Sequence, residues 1–240
     1  VHAGHRPERI DATGDGVKLI CSGLELEADM VLVAIGVRPA SELAQAAGLA
    51  ISVSDSIAVD RELRTSIGEI YSAGDCSDAY HVVTGQKTWI PLALRANRAG
   101  WAVADNVCGG AKELDGVAGT SVFRVFDMEV ARTGLNVAEA SKYGFEPAEM
   151  TIKSASRAHT YGKSDPIYVS AVADKKSGRL LGMQMVGREG AAHRINAPAV
   201  ALHMGMTVAQ YTQLDLAYAP PFGPTWDPTL IAANQLMKKV

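Results

Sequence analysis

The chain has 240 residues, 48% of them hydrophobic, and a formal charge of −3, enough apolar chain to bury a core in one or two globular domains and no basic block for nucleic acid. Its longest apolar run, Met30 to Ile35, is too short for a membrane-spanning helix. Cys21, Cys76 and Cys108 are widely spaced and form no C-x-x-C pair, which argues against a disulfide framework, a zinc site or a redox dithiol and points to a reducing, cytoplasmic setting. The start, Val1-His2-Ala3-Gly4-His5-Arg6, has neither Met nor a signal-peptide pattern, as expected of a processed chain or a fragment.

In chain order, Val17 to Cys21 and Leu24 to Glu27 read as strands joined at Ser22-Gly23, a β-hairpin. Ala28 to Ile35 is near-continuously apolar and stops at Gly36, the pattern of a parallel-sheet strand covered on both faces. Ser41 to Ala47 reads as a short helix with Ser41 as N-cap and Gly48 as stop. Ile57 to Val59 and Ile70 to Ala73 are strand candidates, and Pro91 opens a helix over Leu92 to Val107 that ends at Gly109-Gly110.

The character changes after Gly116. Thr120–Phe126, Val130–Thr133, Glu149–Lys153, Ile167–Ala173 and Leu180–Val186 read as strands, with a hairpin turn at Lys175–Gly178. Helical patterns cover Ala191 to Met204, interrupted at Pro198, and Pro228 to Lys238. The second half is therefore expected to be α+β with an antiparallel sheet.

Two places draw attention as sites. The strand Thr65–Asp75 (TSIGEIYSAGD) delivers Gly74 and Asp75 to a sheet edge, where open α/β sheets bind ligands. Glycine admits a close backbone approach, and a carboxylate accepts from sugar hydroxyls. Taken alone, Gly-Asp is an ordinary turn. The helix starting in IPLALRANRAG (Ile90–Gly100) would place its positive end opposite that carboxylate. The second place is LDLAYAPPFGPTWDP (Leu214–Pro228), in which Pro220-Pro221 stiffens the chain beside Tyr218. A directed tyrosine can donate a proton, but taken alone these residues read more readily as a rigid surface turn in which Tyr218 and Phe222 pack.

ADMVLVAIGVRP, TSIGEIYSAGD and IPLALRANRAG stand in an order that resembles the pyridine nucleotide-disulfide oxidoreductases, in the subgroup of CoA-disulfide reductase, NADH oxidase and NADH peroxidase. YAPPF, VFRVFDMEVARTGLN (Val122–Asn136) and LLGMQMVGREGAAHRIN (Leu180–Asn196) extend the resemblance over almost the whole chain. It implies the C-terminal half of an FAD-dependent NAD(P)H oxidoreductase acting on a disulfide, persulfide, peroxide or oxygen, and most like CoA-disulfide reductase. Residues 1–35 would close the NAD(P)H-binding domain, 36–113 return to an α/β FAD-binding domain, and 114–240 form the dimerisation domain. Asp75 would bind the flavin ribityl chain, and the backbone at Pro91, Leu92 and Ala93 would meet the flavin ring. In a homodimer Tyr218 would reach the other subunit's redox cysteine, with CoA disulfide or a persulfide as the thiol substrate.

The chain departs from this pattern in places. The family's His-Ala-Gly-Tyr-Tyr-Pro-Gly stretch is Arg157-Ala158-His159-Thr160-Tyr161-Gly162 here, leaving Tyr161 as the match to a second, assisting tyrosine. The family's Asp-Lys-Arg-Ile-Asp becomes Ala192-His193-Arg194-Ile195-Asn196, which keeps Arg194 for an anion. Six scattered histidines give no metal spacing. Gly14-Asp15-Gly16 fails as a dinucleotide fingerprint because Leu19 stands at the third glycine position. With no G-x-G-x-x-G in the chain, weak or absent flavin binding and no activity are expected of these residues alone. The alternative is a stand-alone dimerisation module without flavin chemistry.

Overall fold

A computed structural model describes residues 1–240. Backbone contacts divide them into two units, Val1–Val37 and Arg38–Val240. The first is an antiparallel meander of β1 (Pro7–Thr13), β2 (Gly16–Cys21) and β3 (Leu24–Ala28). The hairpin read from sequence is β2–β3, turning at Ser22-Gly23, with Gly23 at φ +74. β1 escaped notice because PERIDAT is exposed along nearly its whole length and carries no apolar alternation.

The expected buried parallel strand at Ala28–Ile35 does not form. Beyond Ala28 the run pairs with nothing, and Leu32 and Ile35 are 88% and 85% exposed. A central parallel strand needs hydrogen-bonding neighbours on both edges and a layer on each face. No segment of this chain supplies them, so the apolar composition stands without the environment that would make it a strand.

In the second unit, α1 (Glu42–Ala46) starts at Ser41 and is stopped by Gly48 at φ +79. Ser41 is not a side-chain cap, however: its hydroxyl donates to the Asp55 carbonyl at 2.6 Å. The strand candidates Ile57–Val59 and Ile70–Ala73 reduce to isolated bridges, Ile57 with Ile51 and Ser77, and Tyr71 with Arg64. Their side chains still build a core. Val59 and Leu63 pack on Ala99 and Ala102, with Tyr71 and Ala73 alongside. After the short pair β4 (Ala79–Tyr80) and β5 (Lys87–Thr88), α2 runs over Ala93–Val107 and buries Arg95, Ala99, Ala102 and Asn106, one face at helical spacing. Its N-cap is Leu92, so Pro91 lies just outside the helix rather than in its first turn.

The antiparallel sheet expected after Gly116 is present, in the order β6 (Ser121–Val125), β7 (Met128–Gly134), β10 (Leu180–Gly187), β9 (Pro166–Asp174), β8 (Pro147–Ala155). β10 lies at its centre and is buried along most of its length. Gly182 is obligatory there, since a Cβ would stand 2.1 Å from the Leu135 carbonyl oxygen. α7 (Pro228–Leu236) lies across β8 and β9, while α4 (Ala191–Arg194) and α5 (Asn196–His203) pack on β7 and β10. The helix break falls at Ile195 rather than at Pro198. Pro198 has no N–H for the Arg194 carbonyl, so the interruption shows one turn earlier. Two helices went unread, α3 (Val137–Lys142) and α6 (Val208–Tyr211). Both open on a capping box, Asn136 with Glu139 and Thr207 with Gln210, a signal that the three-residue spacing could have revealed.

Candidate functional site

The Gly74-Asp75 turn is built from beneath. Gly74 takes φ +88 and the Asp75 side chain is exposed. Arg95, third residue of α2, is buried and donates to the Gly74 and Asp78 carbonyls and, at 3.0 Å, to the Ser77 hydroxyl. Burial lowers the Arg95 pKa, and the charge of Asp78 opposes that effect most strongly. Asp78 is fully buried and accepts from Lys87 Nζ at 2.8 Å and the Val59 N–H at 3.1 Å. Trp89 Nε1 donates to the Asp75 carbonyl at 2.7 Å. The turn is thus pinned to both sides of the start of α2.

No side chain caps α2. Its first-turn N–H groups around Leu92 and Ala93 and the exposed Asp75 carboxylate are therefore presented from one braced structure. Uncapped donors at the positive end of a fifteen-residue helix suit an electron-rich ring edge, and the carboxylate suits hydroxyls. These residues fit the ring and ribityl parts of a flavin. Asp78, Lys87, Trp89 and Arg95, which hold the turn, were missed in the sequence. The available signal was Arg95 itself: a cation in the first turn of a helix opposes the dipole and calls for strong acceptors.

The tyrosines lie elsewhere in the unit. Tyr218 and Tyr161 are each about half exposed. Their loops meet where the Ala158 N–H donates to the Pro220 carbonyl at 3.3 Å. A cavity of 490 Å³ opens beside them, lined by Arg157, His193, Leu216, Phe222 and Asp227 among others. Arg157 pairs with Glu189, and this hydrogen bond is the main reason the Glu189 pKa is lowered. Arg194 also borders this cavity, and the anion it meets is Asp227 of this chain, at 2.8 Å; its other N–H groups are directed at the carbonyls of Gly190, Ser156 and Phe222. No hydrogen bond links this cluster to the Asp75 turn. A second cavity of 360 Å³ lies between the α2 start, Tyr80 and the segment Glu113–Thr120. The cysteines are free, no three metal-ligating side chains converge, and no helix is long and apolar enough to cross a membrane.

Comparison with known proteins gives one consistent result. Residues 1–100 match the description "Pyridine nucleotide-disulphide oxidoreductase", and residues 120–228 match "Pyridine nucleotide-disulphide oxidoreductase, dimerisation domain". The chain is 38% identical over 219 residues to the NAD(P)H sulfur oxidoreductase (CoA-dependent) of Pyrococcus furiosus, covering 91% of this chain and 49% of that protein. It is 27% identical over 216 residues to a coenzyme A disulfide reductase of Staphylococcus aureus, covering 90% and 49%. The solved structure of an NAD-dependent persulfide reductase from A. fulgidus superposes with a TM-score of 0.92 at 39% identity, over 98% of this chain and 44% of that one. The chain spans about half the length of the curated relatives it matches. It combines part of the family's nucleotide-binding fold with an α+β dimerisation domain, and it belongs to the pyridine nucleotide-disulphide oxidoreductase family.

Proposed function

We propose that the chain is the C-terminal half of an FAD-dependent NAD(P)H oxidoreductase acting on CoA disulfide or a persulfide, and that it contributes the flavin-facing turn and the dimerisation domain. Residues 1–35 end the NAD(P)H-binding domain, 36–113 belong to the FAD-binding domain and 114–240 to the dimerisation domain. The observation that carries this reading is the Asp75 turn, tied by buried Arg95 to the uncapped start of α2. The relatives' names, a CoA-dependent sulfur oxidoreductase and a coenzyme A disulfide reductase, favour the thiol branch for the acceptor.

Bound FAD would supply the two-electron relay between NAD(P)H and the sulfur substrate. Asp75 would accept hydrogen bonds from the ribityl hydroxyls, and the backbone at Pro91, Leu92 and Ala93 together with the N–H groups of the first helical turn would hold the ring. Tyr218 crosses to the partner subunit and donates a proton where a thiolate is released, and Tyr161 supports it from the adjoining loop. A homodimer in the reducing cytoplasm completes the reading.

The test uses the full-length protein. Asp75→Ala should lower the FAD retained after gel filtration, whereas Tyr218→Phe should slow turnover of NADH with CoA disulfide and leave FAD bound. Full FAD retention by the first variant together with unchanged turnover by the second would remove the proposal. A second reading, a dimerisation module without flavin chemistry, draws on the lack of any G-x-G-x-x-G among the 240 residues. On either reading these 240 residues alone should bind FAD weakly and show no turnover, and a yellow preparation of them would contradict that expectation.

A further inference from the structure

Arg194 closes α4, and one guanidinium there reaches two other loops as well as the start of its own helix. Its Nε donates to Asp227 Oδ2 at 2.8 Å, its Nη2 to the Phe222 carbonyl at 2.8 Å and the Ser156 carbonyl at 3.0 Å, and its Nη1 to the Gly190 carbonyl at 3.1 Å. Phe222 and Asp227 belong to the loop that carries Tyr218. Ser156 opens the loop that carries Tyr161. A planar, rigid fork therefore holds both tyrosine loops at one spacing.

The far ends of the clamp are also fixed. Thr229 donates to Asp227 Oδ1 through its hydroxyl at 2.7 Å and its N–H at 2.8 Å. The wholly buried Tyr211 donates to the Thr229 hydroxyl at 2.9 Å. On the other side the Ser156 hydroxyl donates to Glu189, and the Asp165 N–H donates to the Ser156 hydroxyl at 3.0 Å. The backbone makes room for the guanidinium: a Cβ on Gly190 would stand 1.9 Å from Nη1, and one on Gly223 3.2 Å from Nη2. The Arg194 side chain borders the 490 Å³ cavity but is only 12% exposed, and its charge is paired with Asp227.

We propose that Arg194 is a positioning residue that sets Tyr161 and Tyr218 in a common register and does not itself contact substrate. The inference rests on the reading of those tyrosines given above. Lysine keeps the charge but donates from a single point, so it cannot span Asp227, Phe222 and Ser156 together.

The test is hydrogen exchange on the full-length, FAD-loaded dimer, comparing wild type with Arg194→Lys. Exchange should rise about tenfold or more in peptides covering both 157–162 and 218–224, while β9 stays protected. Wild-type protection in either loop would overturn the proposal. In parallel, kcat with NADH and CoA disulfide should fall, with FAD content and KM for NADH unchanged. That fall should vanish in a Tyr218→Phe background. An equal fall in both backgrounds would mean Arg194 acts by another route, and the proposal would fail. Wild-type turnover by Tyr218→Phe would instead defeat the functional reading and leave the clamp to be decided by exchange. If Arg194→Lys also exposes β9, Asp227→Asn takes its place with the same two outcomes, since it keeps the Oδ1 cap of α7 and removes the ion pair.

Discussion

Lowering the pH from about 7.5 to about 5 should destabilise the protein by about 2 kcal/mol through His81 alone. His81 is buried, and its Nδ1 accepts the Val83 N–H at 3.1 Å, which fixes the neutral ring. Next to it Arg179 donates to the Val82 and Val83 carbonyls at 3.0 and 2.9 Å. Burial, aided by Arg132, Arg179 and His203 and opposed by Glu139, takes the His81 pKa from 6.5 down to about 4. The unfolded chain then binds a proton that the folded chain refuses. This stability is complete above 6.5 and is lost as the pH falls towards about 4. At about pH 5 the unfolded imidazole is almost wholly protonated and the folded one about a tenth so, which gives a factor of about 30, or about 2 kcal/mol. Urea unfolding at the two pH values measures it, with His81→Asn as reference because Asn keeps an acceptor and does not titrate. Parallel loss of stability in wild type and variant would refute the reasoning.

Gly182→Ala should cost about 2–5 kcal/mol, because a methyl would be driven into the Leu135 backbone and would break the Leu135 N–H to Leu181 carbonyl bond, 2.9 Å long; thermal unfolding reads this. Arg95→Met should cost about 2–4 kcal/mol by leaving the Asp78 carbonyl unpaired and by taking a neighbouring cation from the buried Asp78 carboxylate. In the full-length protein it should also release FAD, although Arg95 lies beneath the turn; unchanged FAD content would disconnect the bracing from the site. Phe222→Glu places a charge on an exposed apolar residue four positions from Tyr218 and should shift the full-length protein towards monomer in sedimentation; an undisturbed dimer would place the interface elsewhere.

The sheet of the second half was legible because its strands pair within the chain. β9 and β10 carry their own partners, so alternating and continuous apolar patterns translated directly into burial. Met30–Ile35 has the composition of a central strand and no partner here, which is why the same reasoning failed there. Asp75 and Tyr218 stood out through the words around them. The groups that hold them, Arg95 and Arg194, did not, because each acts through contacts to segments between 17 and 38 residues away. Arg194 was singled out for its charge, and only the closed geometry reveals that the charge faces inward.

Mass spectrometry of the native polypeptide in its source cells, with peptide coverage upstream of Val1, tests the central claim most directly. The account predicts a product about twice this length that carries a G-x-G-x-x-G and a lone N-terminal cysteine ahead of these residues. A native product beginning at Val1 would contradict it and leave the dimerisation module as the reading to pursue.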